Sequence, residues 1–471
     1  MATSKTTQWL RRLAIDVWQG FYKIAGFGSI GSPAKLQPLV VAFVAPILSD
    51  GALANYPAAS PAGNRFQHGV LNALLAHGID TSVISLRPVS SYPRSPRLFF
   101  RAADGVLGKD IPYRQIGFIN AGPLKTLTAA LATFFAIWRW ARQHRGERRL
   151  MLFYNAYNPS AWVGIVAAWL TRSTMVTIVA DVRVPGSGAD ASLLRRMEYQ
   201  IAVASLQHMD AIVSVTSRIA TDLAAGAPFL LLNGGIPNDM LAPLPARASQ
   251  KTYDVTTDVR MPDNNPFVVL YAGSLSHLAG VPLLLQAFQG LEDARFRLWI
   301  VGGGELEPVV RRAAETDPRI QYLGKLSRPD LLATYTEADV LVNPHSTVLL
   351  TARYVFPSKL LEYLASGRPV ITTATPEIAA GYGNLCTVLD REEPQALADA
   401  ITRVAAMPAA DRLARAAVTL VAVNERHAWS RQGQRLVRFL EERMFQSGLQ
   451  RASRCKRHPR KSANSTPGAA W

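Results

Sequence analysis

Cysteine is nearly absent from this chain: only Cys386 and Cys455 occur among 471 residues. Two widely separated cysteines exclude a disulfide framework and favour a reducing compartment, so a cytoplasmic site of action is predicted. The chain also lacks zinc-type Cys/His spacing and the aromatic-basic pattern of RNA-binding motifs, and nucleic acid is therefore not an expected partner. With 49% hydrophobic and 18% charged residues, a globular protein of two domains is expected.

Long hydrophobic runs are missing as well. Residues 127–140 and 161–170 are the longest apolar stretches, and both fall short of the roughly 20 residues that a bilayer crossing needs. They are predicted to form buried helices. Near the N-terminus, Asp16 interrupts the apolar stretch and no small-residue cleavage pattern follows, so no signal peptide is predicted.

Acidic residues are scarce outside one part of the chain. Residues 1–245 contain 23 Lys and Arg against 12 Asp and Glu, residues 246–442 contain 21 against 22, and residues 443–471 contain seven basic and no acidic residues. This excess predicts anionic partners, which would be phosphate-bearing acceptors or an anionic membrane surface. The last segment also contains Ser, Pro and Gly, and a disordered basic tail is predicted for residues 443–471.

Residues 9–24 combine an apolar stripe with charged residues. The stripe recurs at helical spacing beside two tryptophans and consists of Leu10, Leu13, Val17, Phe21 and Ile24. Two structures fit this pattern equally: an in-plane helix at a membrane interface, and a helix that packs on the protein's own body. Residues 26–35 contain Gly, Ser and Pro and are predicted to be a linker, so residues 1–35 form a separate N-terminal segment.

From Leu39 onward, short apolar runs alternate with helical patterns, which is typical of parallel βαβ units with helices on both faces of a sheet. In the first half, strands are predicted at residues 39–47, 81–86, 149–155, 175–181, 211–215 and 229–233. In the second half, they are predicted at residues 267–273, 296–302, 320–324, 340–344, 369–373 and 385–389. The polar residues 251–266 lie between the halves. The expected fold class is α/β, with two facing Rossmann-like domains at residues 36–245 and 246–426.

Four segments of the second half follow one another in a characteristic order. They read YAGSLSHLAGVPLLLQAF from Tyr271, LWIVGGGELEPVV from Leu298, RIQYLGKLSRPDLLATYTEADVLVNPH from Arg319 and FPSKLLEYLASGRPVI from Phe356. In this order they resemble the donor-binding domain of glycosyltransferase family 4. The resemblance covers roughly residues 39–442 and implies a GT-B fold, in which a closing helix at 427–442 crosses back to the N-terminal domain. It also implies a retaining, metal-independent glycosyltransferase with a UDP- or GDP-linked sugar as substrate and no cofactor.

The FPSK segment predicts how a nucleotide sugar would bind. Pro357 suits the first position of a helix, where the amides of Ser358, Lys359 and Leu360 would face a diphosphate. The Lys359 ammonium would add a charge-assisted contact. Glu362, nearly one turn later, would accept hydrogen bonds from ribose hydroxyls; the alternative is a solvated helix residue.

Two further segments complete the predicted donor site. Gly273 and Ser274 end a strand, and their backbone would approach the diphosphate or the transferred sugar closely. Lys325 resembles the family's segment beside the nucleobase. The glycines in these segments fit ordinary tight turns as well. The sequence has no dense carboxylate cluster, and no metal ligands are predicted.

The phosphate clamp usual in the family is incomplete in this chain. Many relatives have a Glu and two basic residues at positions that are Tyr354, Ser274 and Ala279 here. Arg353 and Lys359 are therefore expected to supply the missing positive charge. The departures leave the identity of the sugar open.

In the first half, polar side chains follow two of the predicted strands. Asn155 and Tyr157 follow one strand and Asp181 directly follows the next, at the edge where ligands of parallel sheets bind. Asp181 is the predicted catalytic residue, because its carboxylate would orient an acceptor hydroxyl or stabilise positive charge that develops on the sugar. The alternative is a structural cap for the loop that follows it.

The basic first half and residues 9–24 predict a lipid-diphosphate-linked saccharide acceptor at the inner face of the cell membrane, in bacterial surface polysaccharide or exopolysaccharide synthesis. The protein is expected to be peripheral on that membrane. Two alternatives stay open. A nucleotide-sugar epimerase of the same fold would need acid/base residues on both sides of the sugar carbon. A catalytically silent nucleotide-sugar-binding subunit would be consistent with Tyr354 and the missing basic pair.

Overall fold

The computed structural model describes residues 38–456, apart from residues 54, 109–110, 156–158, 183, 186–192, 225, 237–239 and 241–265. Every residue described from Leu39 onward lies in one compact unit. The predicted helix at residues 9–24, the linker at 26–35, Tyr157, the interdomain residues 251–265 and the end of the basic tail from residue 457 lie outside the described residues.

The first half alternates strands and helices around a central sheet. Its elements are β1 (Leu39–Ala45), α1 (Asp50–Leu53), α2 (Pro61–Ala76), β2 (Asp80–Ser85), β3 (Phe99–Phe100), β4 (Ala103–Leu107), β5 (Ile111–Gln115), β6 (Phe118–Ile119), α3 (Gly122–Gln143), β7 (Arg148–Tyr154), α4 (Pro159–Thr171), β8 (Thr174–Val179), α5 (Leu193–Leu206), β9 (Ala211–Ser214), a π-helical turn (Ile219–Leu223) and β10 (Phe229–Leu231). The sheet has the order β10-β9-β8-β7-β1-β2-β5-β4 and is parallel except for β4. β1 and β8 are buried along their whole length; β1 is an unbroken apolar run, and β8 is apolar apart from Thr174 and Thr177.

The second half repeats this architecture. Its elements are β11 (Phe267–Ser274), α6 (Val281–Gln289), β12 (Phe296–Gly303), α7 (Glu307–Thr316), β13 (Ile320–Gly324), α8 (Arg328–Glu337), β14 (Val340–Asn343), a 3-10 turn (Leu350–Tyr354), α9 (Lys359–Leu364), β15 (Val370–Thr372), α10 (Pro376–Tyr382), β16 (Thr387–Val388), α11 (Pro394–Ala406), α12 (Ala409–His427) and α13 (Trp429–Lys456). The parallel sheet has the order β13-β12-β11-β14-β15-β16. This is the strand order of a dinucleotide-binding Rossmann domain, whose direction reverses between β11 and β14.

The predicted fold class is confirmed: two Rossmann-like α/β sheets occur in sequence. In the first sheet, α3, α4 and α5 contribute to one core cluster, whereas α2 and α13 contribute to the cluster on the other face. The first of these clusters continues into the second half and includes Leu270, Tyr335 and Leu361. The two halves therefore share buried apolar surface.

The segment between β2 and α3 was not predicted from the sequence. It contains β4 and β5, which extend the large sheet, and the small antiparallel pair β3 and β6. β4 is exposed along four of its five residues and β3 is only two residues long. Such strands have no continuous apolar run, so their sequence carries little periodic signal.

The closing helix crosses back to the first half, as the resemblance implied, and packs on α2. The ring of Trp429 lies against two glycines: a Cβ added at Gly69 or Gly235 would come within 2.0 Å or 2.5 Å of it. The helix does not end near Glu442 but continues to Lys456. The disorder predicted from residue 443 is therefore wrong for residues 443–456, where helix-forming residues outnumber breakers and the first proline is Pro459.

Replacing Gly69 with alanine is expected to lower the free energy of unfolding by about 1–3 kcal/mol, because the added methyl group overlaps the Trp429 ring. Chemical denaturation measures the change. Gly381→Ala is the matched control, since Gly381 also lies in a helix and its added Cβ would meet nothing within 4 Å. If the two variants had equal free energies of unfolding, α13 would not pack tightly on α2.

Candidate functional site

The candidate site lies at the carboxyl edge of the second sheet, where β11 and β14 are neighbours. The short helix α9 is fixed against the end of β11 by Tyr363. Its hydroxyl donates to the Ala272 carbonyl oxygen at 2.9 Å and accepts from the Ala272 amide at 2.7 Å. Because ligands of Rossmann sheets bind where the strand order reverses, α9 borders the expected ligand crevice.

Glu362 of α9 lies at the centre of a buried ion cluster. Its Oε1 accepts from Arg65 Nη2 at 3.2 Å. Its Oε2 accepts from Arg328 Nη1 at 2.9 Å, from Lys359 Nζ at 3.2 Å and from the Tyr335 hydroxyl at 3.2 Å. Only 6% of Glu362 is exposed, so it is not the solvated helix residue of the alternative interpretation. We refer to these five residues as the Glu362 cluster.

The cluster holds its carboxylate firmly ionised. Burial by itself would raise the pKa of Glu362, but Lys359, Arg328 and Arg65 together lower this pKa to about 2. Burial is also the main reason that the pKa of Lys359 is lowered from its usual value, and the neighbouring Glu362 opposes this effect. The pKa of Tyr335 is raised well above its usual value by burial and by the carboxylate, so its hydroxyl stays protonated and donates.

The charges within the Glu362 cluster do not cancel. Three cationic side chains surround one carboxylate, and an excess of two positive charges results. The cationic side chains are 24–38% exposed, whereas the Glu362 side chain is 8% exposed. The accessible part of the cluster is therefore cationic, and a multiply charged anion such as a diphosphate would compensate the excess.

The first half contributes Arg65 through a tightly held helix start. The Ser60 side chain caps α2 by accepting from the Gly63 amide at 3.1 Å. Asn64 then bonds to both backbone groups of Leu48, at 2.9 Å and 3.1 Å. These bonds fix the first turn of α2 beyond the end of β1, and Arg65 projects from that turn to Glu362.

The turns predicted to face the donor are close-packed. A Cβ added at Gly302 would lie 1.8 Å from the Gly273 carbonyl oxygen, and one added at Gly303 would lie 2.4 Å from Cε of Lys325. The Tyr271 hydroxyl donates to the Ser274 carbonyl oxygen at 2.6 Å. The structure thus brings Gly273 and Ser274 beside the end of β12, and Lys325 reaches the same strand end from the residue after β13.

The start of α9 differs in one respect from the predicted diphosphate site. The Leu360 amide donates to the Pro357 carbonyl oxygen at 2.8 Å, so it is already engaged. Ser358 is exposed and has helical backbone angles, and its side chain makes no capping bond. Lys359 and Glu362 therefore carry most of the polar chemistry of this segment.

Tyr354 and Arg353 do not join the Glu362 cluster. Tyr354 is buried, and its hydroxyl lies 3.4 Å from the Asp222 carboxylate of the first half. The Arg353 side chain is exposed, while its carbonyl oxygen accepts from the Thr216 hydroxyl at 3.4 Å. These contacts, together with bonds from the Ser217 amide and hydroxyl to Glu377 Oε1 at 3.0 and 2.9 Å, join the two halves.

Asp181 and Asn155 meet at the carboxyl edge of the first sheet. Asn155 Nδ2 donates to Asp181 Oδ1 at 3.0 Å, and Asn155 Oδ1 accepts from the Ala180 amide at 2.7 Å. Asn155 has a φ of 49°, in the left-handed region that asparagine tolerates better than most residues. Burial and the Asp181 charge raise the pKa of the adjacent Tyr154. Asp181 is thus oriented by a neighbouring strand end.

Three members of the Glu362 cluster were not predicted from the sequence: Arg65, Tyr335 and Arg328. Arg65 lies near the start of α2, which is recognisable from the turn-rich residues before it, but its partner lies 297 residues away. Arg328 lies three residues after Lys325, which was assigned to the predicted nucleobase segment. Within the described residues, no group of three or more His, Cys, Asp and Glu side chains is arranged to hold a metal ion.

Comparisons with known proteins identify the class of this fold. Residues 266–407 match the family described as "Glycosyl transferases group 1". Sucrose-phosphate synthase from Thermosynechococcus elongatus superposes with a TM-score of 0.61 at 17% identity, covering 86% of this chain and 98% of that one. HepE from Anabaena in complex with UDP has a TM-score of 0.57 at 14% identity, with coverage of 85% and 99%.

A further solved structure is WaaG, described as a glycosyltransferase involved in lipopolysaccharide biosynthesis. It has a TM-score of 0.54 at 14% identity and covers 84% of this chain and 98% of its own. No curated protein matches the chain in sequence. The protein thus has the GT-B fold of glycosyltransferases. Its second half contains a glycosyl transferases group 1 domain.

Proposed function

We propose that the protein is a retaining glycosyltransferase that moves a sugar from a UDP- or GDP-linked donor to an acceptor hydroxyl. The observation that carries the proposal is the Glu362 cluster, a cationic site that borders the crevice of a glycosyl transferases group 1 domain. HepE, a protein of the same fold, has been solved in complex with UDP and in complex with UDP-glucose. These complexes support a nucleotide sugar as the donor class.

In the proposed complex, the donor diphosphate binds the cationic side chains that surround Glu362. Arg328, Lys359 and Arg65 turn their exposed ends towards phosphate oxygens, since the excess of positive charge favours that anion. Glu362 then accepts hydrogen bonds from ribose hydroxyls. The backbone near Gly273 adjoins the diphosphate or the transferred sugar.

The proposed reaction breaks the bond between the sugar's anomeric carbon and the diphosphate oxygen, and it forms a bond from the same face of the sugar to the acceptor oxygen. The acceptor proton passes to a departing phosphate oxygen. The cationic side chains stabilise the negative charge that develops on the leaving group, so positioning and electrostatics carry the catalysis. We propose that this site needs no metal ion and no cofactor.

Asp181 is the proposed catalytic residue of the first half. Asn155 orients its carboxylate at the sheet edge, where it would align an acceptor hydroxyl or stabilise positive charge on the sugar. Asp181→Asn keeps the shape of the side chain and removes its charge. We expect kcat to fall about a hundredfold while the donor KM stays within about twofold.

Steady-state kinetics with the donor and acceptor identified by screening measure this change. Asp104→Asn is the control. Asp104 lies on the exposed strand β4, where it pairs with Arg114 of β5. Two results would contradict a catalytic role for Asp181: a fall in kcat of similar size in both variants, or a rise in donor KM alone. Either result would indicate that Asp181 only caps the loop that follows it.

The proposed acceptor is a lipid-diphosphate-linked saccharide, and the proposed pathway is bacterial surface polysaccharide or exopolysaccharide synthesis. The basic first half supports this acceptor class, as does the fold shared with WaaG. We propose that the protein works in the cytoplasm as a peripheral protein on the inner face of the cell membrane. Among the described residues, none of the helices combines the length and apolar character of a membrane span.

A donor screen tests the proposed function. Purified protein is incubated with a panel of radiolabelled UDP- and GDP-sugars, with and without an extract of lipid-linked saccharides. Transfer of label to the lipid fraction supports a glycosyltransferase. Acceptor-free conversion of the donor sugar would instead assign the nucleotide-sugar epimerase, and binding without turnover would assign the silent subunit. Absence of binding by any nucleotide sugar would contradict all three.

A further inference from the structure

Helix α3 exposes a line of large apolar side chains. Leu124, Leu127, Leu131 and Phe135 are 50%, 56%, 49% and 63% exposed. Their spacing of three and four residues puts them on one side of the helix. We call this line the apolar ridge. The opposite side of α3 is also apolar, because Ile137 and Ala141 are buried in the core, so the ridge is not needed to hold the helix in place.

The neighbouring helices expose apolar side chains too. α3 packs beside α4, which in turn contacts α5, and all three contribute to the same core cluster of the first half. The large apolar side chains that are exposed on α4 are Val166, Trp169 and Leu170, and those exposed on α5 are Met197 and Ile201. Exposed apolar surface on three adjacent helices exceeds what scattered surface residues explain, and it marks an interaction site.

Positive charge flanks the ridge at its C-terminal end. Arg139, Arg142 and Arg145 are exposed there, and Arg142 lies over the ring of Trp138 at 5.3 Å. α3 contains no acidic residue, and residues 111–180 contain eight Lys and Arg against the single acidic residue Glu147. The ridge therefore combines Leu and Phe side chains with an arginine rim, on a helix that has no acidic residue.

This combination fits an anionic bilayer surface better than a second copy of the chain. A symmetric dimer through the ridge would bring the arginine rims of both copies into one interface without acidic partners on α3. An anionic bilayer satisfies both parts, because its interfacial region takes up Leu, Phe and Trp side chains while its headgroups attract arginines.

We propose that the apolar ridge of α3 inserts into the interface of an anionic lipid bilayer, with Arg139, Arg142 and Arg145 at the headgroups. The helix lies in the membrane plane, and α4 and α5 extend the contact. This inference rests on the peripheral membrane location in the proposed function, and it assigns the membrane contact to a surface of the first half. Its test uses neither donor nor acceptor, so its failure and that of the proposed transfer are distinguishable.

The test places a fluorophore on the ridge. Leu131→Cys in a Cys455→Ser background is labelled with an environment-sensitive dye, and Cys386 is left in place because burial raises the pKa of its thiol to about 12. We expect the emission to shift to shorter wavelength with vesicles of equal parts phosphatidylglycerol and phosphatidylcholine. A label at Val418→Cys, which is 70% exposed on α12, should not shift.

Binding by the ridge is measured with a second set of variants. Leu127→Gln, Leu131→Gln and Phe135→Gln combined are expected to weaken sedimentation with the same vesicles by at least about tenfold, since three apolar side chains no longer enter the bilayer. Val418→Gln with Val421→Gln removes similarly exposed apolar groups from α12 and should change nothing. Thermal melts of all variants verify that the fold is retained.

Three results would overturn the proposal. The protein could sediment with the vesicles while the label at residue 131 shows no shift, which would assign membrane contact to another surface. The triple variant could bind as well as the Val418 and Val421 control. The label could shift on raising the protein concentration without vesicles, which would make the ridge a contact between copies of the chain.

Discussion

Replacing Arg328 with glutamine is expected to weaken nucleotide binding by about tenfold to a hundredfold, because one charge-assisted bond to the donor diphosphate is lost. Arg328 lies 2.9 Å from Glu362 and is partly exposed, so it is well placed to transfer its contact to a phosphate oxygen. Arg328→Lys retains the charge but not the planar fork, and it should recover part of the affinity. Isothermal titration with UDP and with GDP measures the effect.

The control for Arg328 is Arg391→Gln. Arg391 belongs to the same half and pairs with Glu393 at 3.4 Å, but both side chains are largely exposed. Its replacement should leave nucleotide affinity within about twofold, because exposed ion pairs contribute little. If Arg328→Gln bound the nucleotide as tightly as the Arg391 control, the Glu362 cluster would not be the diphosphate site, although the glycosyl transferases group 1 domain would stand.

Glu362→Gln is expected to destabilise the protein by about 3 kcal/mol, because it leaves three cationic side chains without their common counter-ion. The same variant should bind inorganic pyrophosphate more tightly than the unaltered protein, since no carboxylate competes for the cations. Its affinity for UDP or GDP should gain less, because the proposed bonds to ribose are weakened. Denaturation and titration with pyrophosphate measure the two effects.

The pH dependence of the free energy of unfolding tests whether the negative charge of Glu362, rather than the shape of its side chain, stabilises the fold. The pKa of Glu362 is lowered to about 2 in the folded protein from 4.5, so its stabilising contribution is complete above pH 4.5 and is lost as the pH falls towards 2. Glu362→Gln lacks this contribution and should lose less stability over that interval. Glu442→Gln is the control, as Glu442 forms an exposed pair with Arg438. An identical pH profile for both variants would contradict the buried ion cluster.

The sequence predicted those features that depend on neighbouring residues. Buried parallel strands such as β1 and β8 are mostly apolar runs, and they begin and end close to their predicted bounds. Lys359 and Glu362 were recognised together because they lie three residues apart in one segment. Asn155 and Asp181 were expected at the same sheet edge, since each follows a strand, and they form a hydrogen bond.

The remaining features depend on how distant segments pack. Arg65 joins Glu362 across 297 residues, and no local pattern encodes that distance. The apolar run at 127–140 predicted a buried helix. In an outer layer of the domain, however, a helix with two apolar sides buries only the side that faces the sheet, so Leu127, Leu131 and Phe135 are exposed. The length of α13 was underestimated because basic residues at 443–456 resembled a tail.

The packing of α13 on the first half determines when that half can complete its core during translation. The core cluster between α2 and the first sheet includes five residues of α13: Leu436, Val437, Phe439, Leu440 and Met444. These residues leave the ribosome after the whole second half. The first half therefore cannot close this core while it is being translated, although domains generally fold in order of their synthesis. Completion of the first half therefore requires α13, which is translated after the second half.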